Sequence, residues 1–235
     1  IQMVWIPFWA AGVINGIGHY WGYRNWRTPD ASTNIAPWGV VIGGEELHNN
    51  HHAFASSAKF SARWWEFDIG WLYIRFFSLL DLARVYKQAP KRNLVAERPQ
   101  LDMEVVKALT VNRLQLMSDY SRKVLRPVFR QEMQRAEKSW RRLYRQAQRL
   151  ARRETTLLNE PERMRLREVL DQSSILATVY QFKLRLYEIW NQKAATHTKR
   201  LEALRQWCIQ AEATNIQALQ DFVHLLRRYE SVPAH

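Results

Sequence analysis

His48, His51 and His52, in the stretch His48-Asn49-Asn50-His51-His52, stand at i, i+3 and i+4. On a helix that spacing puts three imidazoles on one face. Neutral imidazole is a favoured ligand for iron, copper, zinc and nickel, so histidines converging on one face point to a metal site. Upstream, Asn15 and His19 form an i, i+4 pair that shares a helical face in the same way. Four of the seven histidines fall between residues 19 and 52. The plainer alternatives are a solvated polar face for the 48–52 stretch and a satisfied boundary residue for His19.

The surroundings of these residues are apolar. No charged side chain occurs from Ile1 to Tyr23. A bilayer-spanning helix needs about 20 apolar residues, so the run is expected to be the last part of a transmembrane helix. No basic n-region or small-residue cleavage site marks it as a signal peptide. Arg24 and Arg27 follow the run, which places what comes next in the cytoplasm by the positive-inside rule. Eight of the eleven tryptophans lie at or before Trp71. Trp21, Trp26, Trp38, Trp64, Trp65 and Trp71 read as interfacial anchors and core. Residues 69–85 are apolar but interrupted by Arg75 and Asp81, which suits an amphipathic helix lying in the membrane interface better than a spanning one.

Taken in order, Asn15-x-x-x-His19, Gly22-Tyr23-Arg24, Asp30-Ala31-Ser32-Thr33-Asn34, Gly44-Glu45-Glu46-Leu47-His48-Asn49-Asn50-His51-His52 and Trp65-Glu66-Phe67-Asp68-Ile69-Gly70-Trp71 resemble the C-terminal part of a membrane fatty acid desaturase. The likeness is to bacterial acyl-CoA Δ9 desaturases of the stearoyl-CoA desaturase type, and runs from about residue 1 to residue 90. It implies that His19, His48, His51 and His52 are ligands of a di-iron centre, with Asn15 reaching one iron through a water. The family's two earlier histidine boxes have no counterpart here, and His197, His224 and His235 are isolated. The chain is therefore expected to be a fragment holding only the last ligands, unable alone to assemble a working centre. Removing hydrogen from an unactivated methylene needs a strong oxidant derived from dioxygen, and imidazole withstands oxidation that thiolates do not. Glu45, Glu46 and Asp68 are candidate hydrogen-bond partners for the ligand histidines. The implied partners are a fatty acyl substrate, as its acyl-CoA, membrane lipid and an external electron-transfer protein. The implied location is the bacterial inner membrane, with the site and the C-terminal domain cytoplasmic. A hydroxylase of the same superfamily would begin with the same hydrogen abstraction.

From residue 101 the composition changes. Residues 91–100, with Pro99 and little apolar periodicity, read as a linker, and 101–235 as a basic helical or coiled-coil domain. Three helical stretches are expected, at 102–155, 161–193 and 197–230. Pro127 should kink or split the first. Asn159, Pro161 and Glu162 form an Asx version of the capping box at the start of the second. The third carries an apolar stripe through Leu201, Leu204, Cys208, Ala211, Leu219, Phe222 and Leu226, with Asn215 a candidate break. The predicted fold class is all-α: the end of a transmembrane helical core plus a soluble helical hairpin or bundle.

The chain carries a net charge of +13. Most of the excess lies after residue 100, and only Glu132 and Glu137 oppose twelve basic side chains between Arg122 and Arg153. Such a run is either a solvated face or a surface for anionic lipid, CoA phosphates or an acidic partner. Nucleic acid is compatible with the charge. However, no zinc finger, helix-turn-helix or RNA-binding signature is present, which makes it the disfavoured partner. The stretch 204–214 resembles a helical tail that follows some bacterial desaturases, and is similar to the C-terminal helices of certain insertion-sequence transposases. No acidic catalytic triad is identifiable. A single cysteine, Cys208, excludes an internal disulfide and reads as packing. The competing functional class is a non-catalytic helical interaction module whose membrane part is vestigial.

Overall fold

A computed structural model describes residues 7–90, 93–94, 96–97, 99–192 and 195–230. It divides into two compact units, residues 1–89 and 90–235. Expectations for residues 1–6 and for His235 lie outside the described residues.

In the first unit, Pro7–Ile14 is π-helical and runs into α1 (Asn15–Gly18). Among the described residues no helix is long and apolar enough to cross a membrane. The helical run stops at Gly18 because a distant segment takes its carbonyl: the Thr33 amide and hydroxyl both donate to Gly18 O. Short elements follow: β1 (Trp38–Gly39), α2 (His48–Ala53), β2 (Phe67–Asp68) and α3 (Ile69–Leu79). β1 and β2 pair in parallel, Trp38 with Phe67 and Gly39 with Asp68. Asp68 caps α3 by accepting from the Trp71 amide at 2.9 Å. α3 is shorter than the expected 69–85 helix. Asp81 adopts φ +57°, a left-handed conformation that ends a helix. No α3 side chain is buried; Leu72, Phe76 and Leu79 stay largely in solvent.

The second unit begins at residue 90 and takes in the expected linker. Its β3 (Asn93–Leu94) pairs antiparallel with β4 (Tyr229–Glu230). Between them lie α4 (Met103–Val111), α5 (Arg113–Tyr120), α6 (Arg126–Arg135), α7 (Arg141–Ala151), α8 (Glu160–Gln172), α9 (Ser174–Asn191), α10 (His197–Ala213) and α11 (Gln217–Leu226). Pro127 does not split its helix. A π-helical turn, Ser121–Leu125, joins α5 to α6, and Pro127 lies at the start of α6. The carbonyl that a proline ring would meet, four residues back at Lys123, lies in that wider turn. The expected breaks at Asn159 and Asn215 are present. Asn159 and Glu162 form a reciprocal capping box, and Asn215 has φ +56° between α10 and α11. A further break at Ser173, whose side chain caps α9, divides the second stretch. These caps make a bundle of short helices in place of a long coiled coil. Its centre is aromatic. Trp207 is 1% exposed and donates to the Phe182 carbonyl at 3.0 Å, and Tyr120 donates to the Val179 carbonyl at 2.7 Å. Cys208 is buried beside them, and burial pushes its thiol up to about 12, in keeping with a packing role.

Candidate metal centre

The helix that carries the histidine box, α2, has six residues and no side-chain cap at its N-terminus. So short a helix has little stability of its own. It is held by the two residues between the histidines. Asn49 accepts from the amides of Asn25 and Trp26, both at 2.9 Å. Asn50 accepts from the side chains of Asn25 (2.9 Å) and Asn34 (3.2 Å) and donates to Glu66 at 2.9 Å. Glu66 also accepts from the Tyr23 hydroxyl at 2.7 Å and from the amides of Ala62 and Arg63. Both asparagines are buried. Buried polar groups persist where every partner is supplied, so this network fixes the rotation of α2. With Asn49 and Asn50 turned into it, the histidine face is turned the other way.

That face meets His19, at the C-terminus of α1. His19 Nε2 lies 3.2 Å from His48 Nε2. The ring centroids of His19 and His52 are 5.2 Å apart, and those of His48 and His52 4.2 Å. One ligating nitrogen from each of His19, His48 and His52 lies within 4.8 Å of the others. Gly18 makes the approach feasible. A Cβ there would sit 3.0 Å from His48 Cδ2, close enough that the imidazole would have to give way. Gly22, at φ +139°, presses against the Asn34 carbonyl, where a Cβ would stand at 2.2 Å. It keeps the return strand close, as the pairing of Tyr23 with Asn34 requires.

The remaining sequence candidates are placed differently. His51 stacks near Phe60, with centroids 4.7 Å apart, and lies beside the three-histidine group rather than in it. Its centroid is 5.8 Å from that of His52. Asn15 is exposed, one turn before His19. Glu46 is buried and accepts from the amides of Val41 and Ile42. Asp68 accepts from Phe60, Ser61 and Trp71 amides. Both carboxylates hold loops, and among the described residues no hydrogen bond joins either of them, or Glu45, to a histidine. The carboxylate that does so is Asp30: its Oδ2 lies 2.8 Å from His52 Nδ1. Asp30 stands within the segment 30–34 that carried the family resemblance, but its sequence separation from His52 gave no spacing signal.

Electrostatics keep the His48 imidazole neutral. Burial, and then the neighbouring His52, His19 and His51, lower the His48 pKa from 6.5 to about 4. Burial alone would raise the Asp30 carboxyl, but hydrogen bonds from Ser32, His52 and Thr28 outweigh it and hold Asp30 well below the usual carboxylate range. An ionised carboxylate only accepts, so the His52 proton sits on Nδ1 and the Nε2 lone pair is left free. The Nδ1 atoms of His48 and His51 are buried without a hydrogen-bond partner. Two imidazoles bound to one ion at about 2.1 Å each would have nitrogens about 3 Å apart, which is the His19–His48 separation. The donor set therefore fits a first-row metal ion, iron included.

Comparison with known proteins finds likenesses of two kinds. Over 89 residues it is 43% identical to Delta-9 acyl-lipid desaturase 2 of Arabidopsis thaliana, covering 37% of this chain and 29% of that protein. Over 91 residues it is 37% identical to sn-1 stearoyl-lipid 9-desaturase of Anabaena variabilis, covering 39% and 33%. Over 93 residues it is 41% identical to icosanoyl-CoA 5-desaturase of Limnanthes douglasii, covering 38% and 26%. The chain thus spans a third or less of the length of these relatives. A transposase family model matches residues 117–232, just under half of the chain. No solved structure matches it.

Proposed function

We propose that residues 1–90 are the C-terminal part of an iron-dependent fatty acyl desaturase, and that His19, His48, His51 and His52 contribute to its metal centre. The observation that carries this reading is the meeting of His19 with His48 and His52 on a hydrogen-bonded frame, in a chain similar to several desaturases over about 90 residues. Iron bound there would supply the activation of dioxygen that removal of hydrogen from an unactivated methylene demands. The chain's own residues orient and insulate. Asp30 fixes the His52 tautomer, the Asn49–Asn50–Glu66 network sets the pitch of the box, and Gly18 lets His48 close on His19. Asn15, one turn from His19 in the sequence, is assigned to one ion through a water by the resemblance alone.

The finer assignments extend the same reading. The substrate is an acyl chain, carried as acyl-CoA in the bacterial Δ9 type. Electrons are supplied by an electron-transfer protein. Two ions need more donors than these four histidines, so the centre takes further ligands from outside residues 1–90. The uncovered apolar side chains of α3, with Arg75 over Trp71, suit the interface of the bacterial inner membrane, with the histidines and the helical unit on the cytoplasmic side. The helical unit, despite its similarity to a transposase family model, has no group of three ligating side chains among the described residues. It is best read as an accessory module with a basic face, whose attraction to anionic lipid should weaken with salt.

Anaerobic titration of the chain with cobalt(II), a spectroscopic stand-in for ferrous iron, tests the centre. Visible absorption from imidazole coordination is expected, and His48→Ala or His52→Ala should abolish it. A spectrum unchanged by either substitution would remove those residues from the site. For the reaction, cells expressing the complete polypeptide should gain monounsaturated acyl chains, and the same histidine variants should not. A hydroxylated product would instead select the hydroxylase.

A further inference from the structure

We propose that Arg122, Arg126 and Arg152 form a binding site for a phosphate group on the helical unit. The site lies at the seam between α6, with its preceding π turn, and α7. The Gln148 side chain donates to the Arg126 carbonyl at 3.2 Å, which sets the register of this antiparallel pair. Arg122 stands four residues before Arg126, and Arg152 four residues after Gln148. Each lies one helical turn, about 6 Å, toward the same end of the seam. Three guanidinium groups therefore converge, from two helices, on one place.

Their charges are poorly balanced. Asp119 accepts from Arg122 at 2.5 Å, but also from Gln115 and from Tyr229, so its charge is shared. The negative end of α7, beside Arg152, is already taken: Lys183 donates to the carbonyls of Ala151 (2.8 Å) and Arg153 (2.7 Å). That leaves Arg152 with its Nε buried and without an acceptor. Burial, and then the charges of Arg126 and Arg122, lower its pKa. Guanidinium stays protonated at any physiological pH and is built to hold phosphate oxygens in its planar fork. A phosphate dianion at this point would offset the mutual repulsion of the three guanidinium groups. The same chemistry is offered by a soluble phosphorylated molecule and by a phosphomonoester lipid headgroup.

The test uses the 235-residue chain, calorimetric titration with inorganic pyrophosphate, and vesicles of phosphatidylcholine with or without phosphatidate. Pyrophosphate binding is expected to weaken at least about tenfold in Arg126→Gln and in Arg152→Gln, and to stay unchanged in Arg163→Gln, which removes a cation paired with Glu160. Circular dichroism checks the fold. Arg126 is exposed, so its variant carries the test if Arg152→Gln fails to fold. Vesicle binding that needs phosphatidate, is displaced by pyrophosphate and is lost in both variants would identify a lipid headgroup. Vesicle binding indifferent to the two variants would leave a soluble phosphate as the ligand. The proposal is overturned if neither probe binds, or if Arg163→Gln weakens binding as much as the other two.

Discussion

His52 and Asp30, 22 positions apart, are joined Nδ1 to Oδ2 at 2.8 Å. If His52 binds an ion as proposed, this contact directs it, because it fixes which nitrogen carries the proton. Asp30→Asn should therefore weaken cobalt or ferrous binding by about 10- to 100-fold while helix content stays unchanged. Wild-type affinity in this variant would show that Asp30 does not orient the site.

The asparagines of the box serve the fold more than the metal. Asn50→Ala would leave Asn25, Asn34 and Glu66 short of partners in a buried site. Each such loss costs about 1–3 kcal/mol, so the first unit should melt several degrees lower. Thermal unfolding followed by tryptophan fluorescence would read this directly.

Gly18→Ala separates geometry from stability. Its Cβ would sit 3.0 Å from His48 Cδ2, so His48 must shift to accommodate it. Metal affinity should fall with little change in unfolding midpoint. If the midpoint collapsed and affinity did not, Gly18 would be a folding residue instead.

Acid should destabilise the first unit in a defined window. His48 is protonated near 6.5 ordinarily but only near 4 in the fold, because burial and then the neighbouring histidines oppose its charge. Between those values the unfolded chain binds the extra proton, so stability falls as pH drops from about 6.5 toward 4. A midpoint independent of pH across that range, measured without metal, would contradict the placement of His48.

In the helical unit, Trp207 is fully buried, edge-on to Tyr120, Phe182 and Phe222. Trp207→Ala should cost about 3–5 kcal/mol and leave metal binding in the first unit untouched. Thermal unfolding followed at 222 nm measures the loss.

The sequence by itself determined whatever depends on neighbours along the chain. The spacing of His48, His51 and His52 put them on one side of a helix. Asn159 with Glu162 marked a capping box, and Asn215 marked a break, because capping and positive φ are local properties. The same reasoning allowed Pro127 to kink or split its helix; it does not split it, because a wider turn precedes the ring. Only the tertiary structure decided which carboxylate serves the site. Glu45 and Glu46 are near in sequence, but Glu46 is spent on loop amides, and Asp30 is brought in by a loop whose closure no periodicity encodes. The convergence of Arg122 and Arg152 is of the same kind. A charge count showed a basic stretch, and the hairpin between α6 and α7 turned it into a place. Contacts between distant residues follow from how buried polar groups find partners, and that balance is settled only when the whole unit folds.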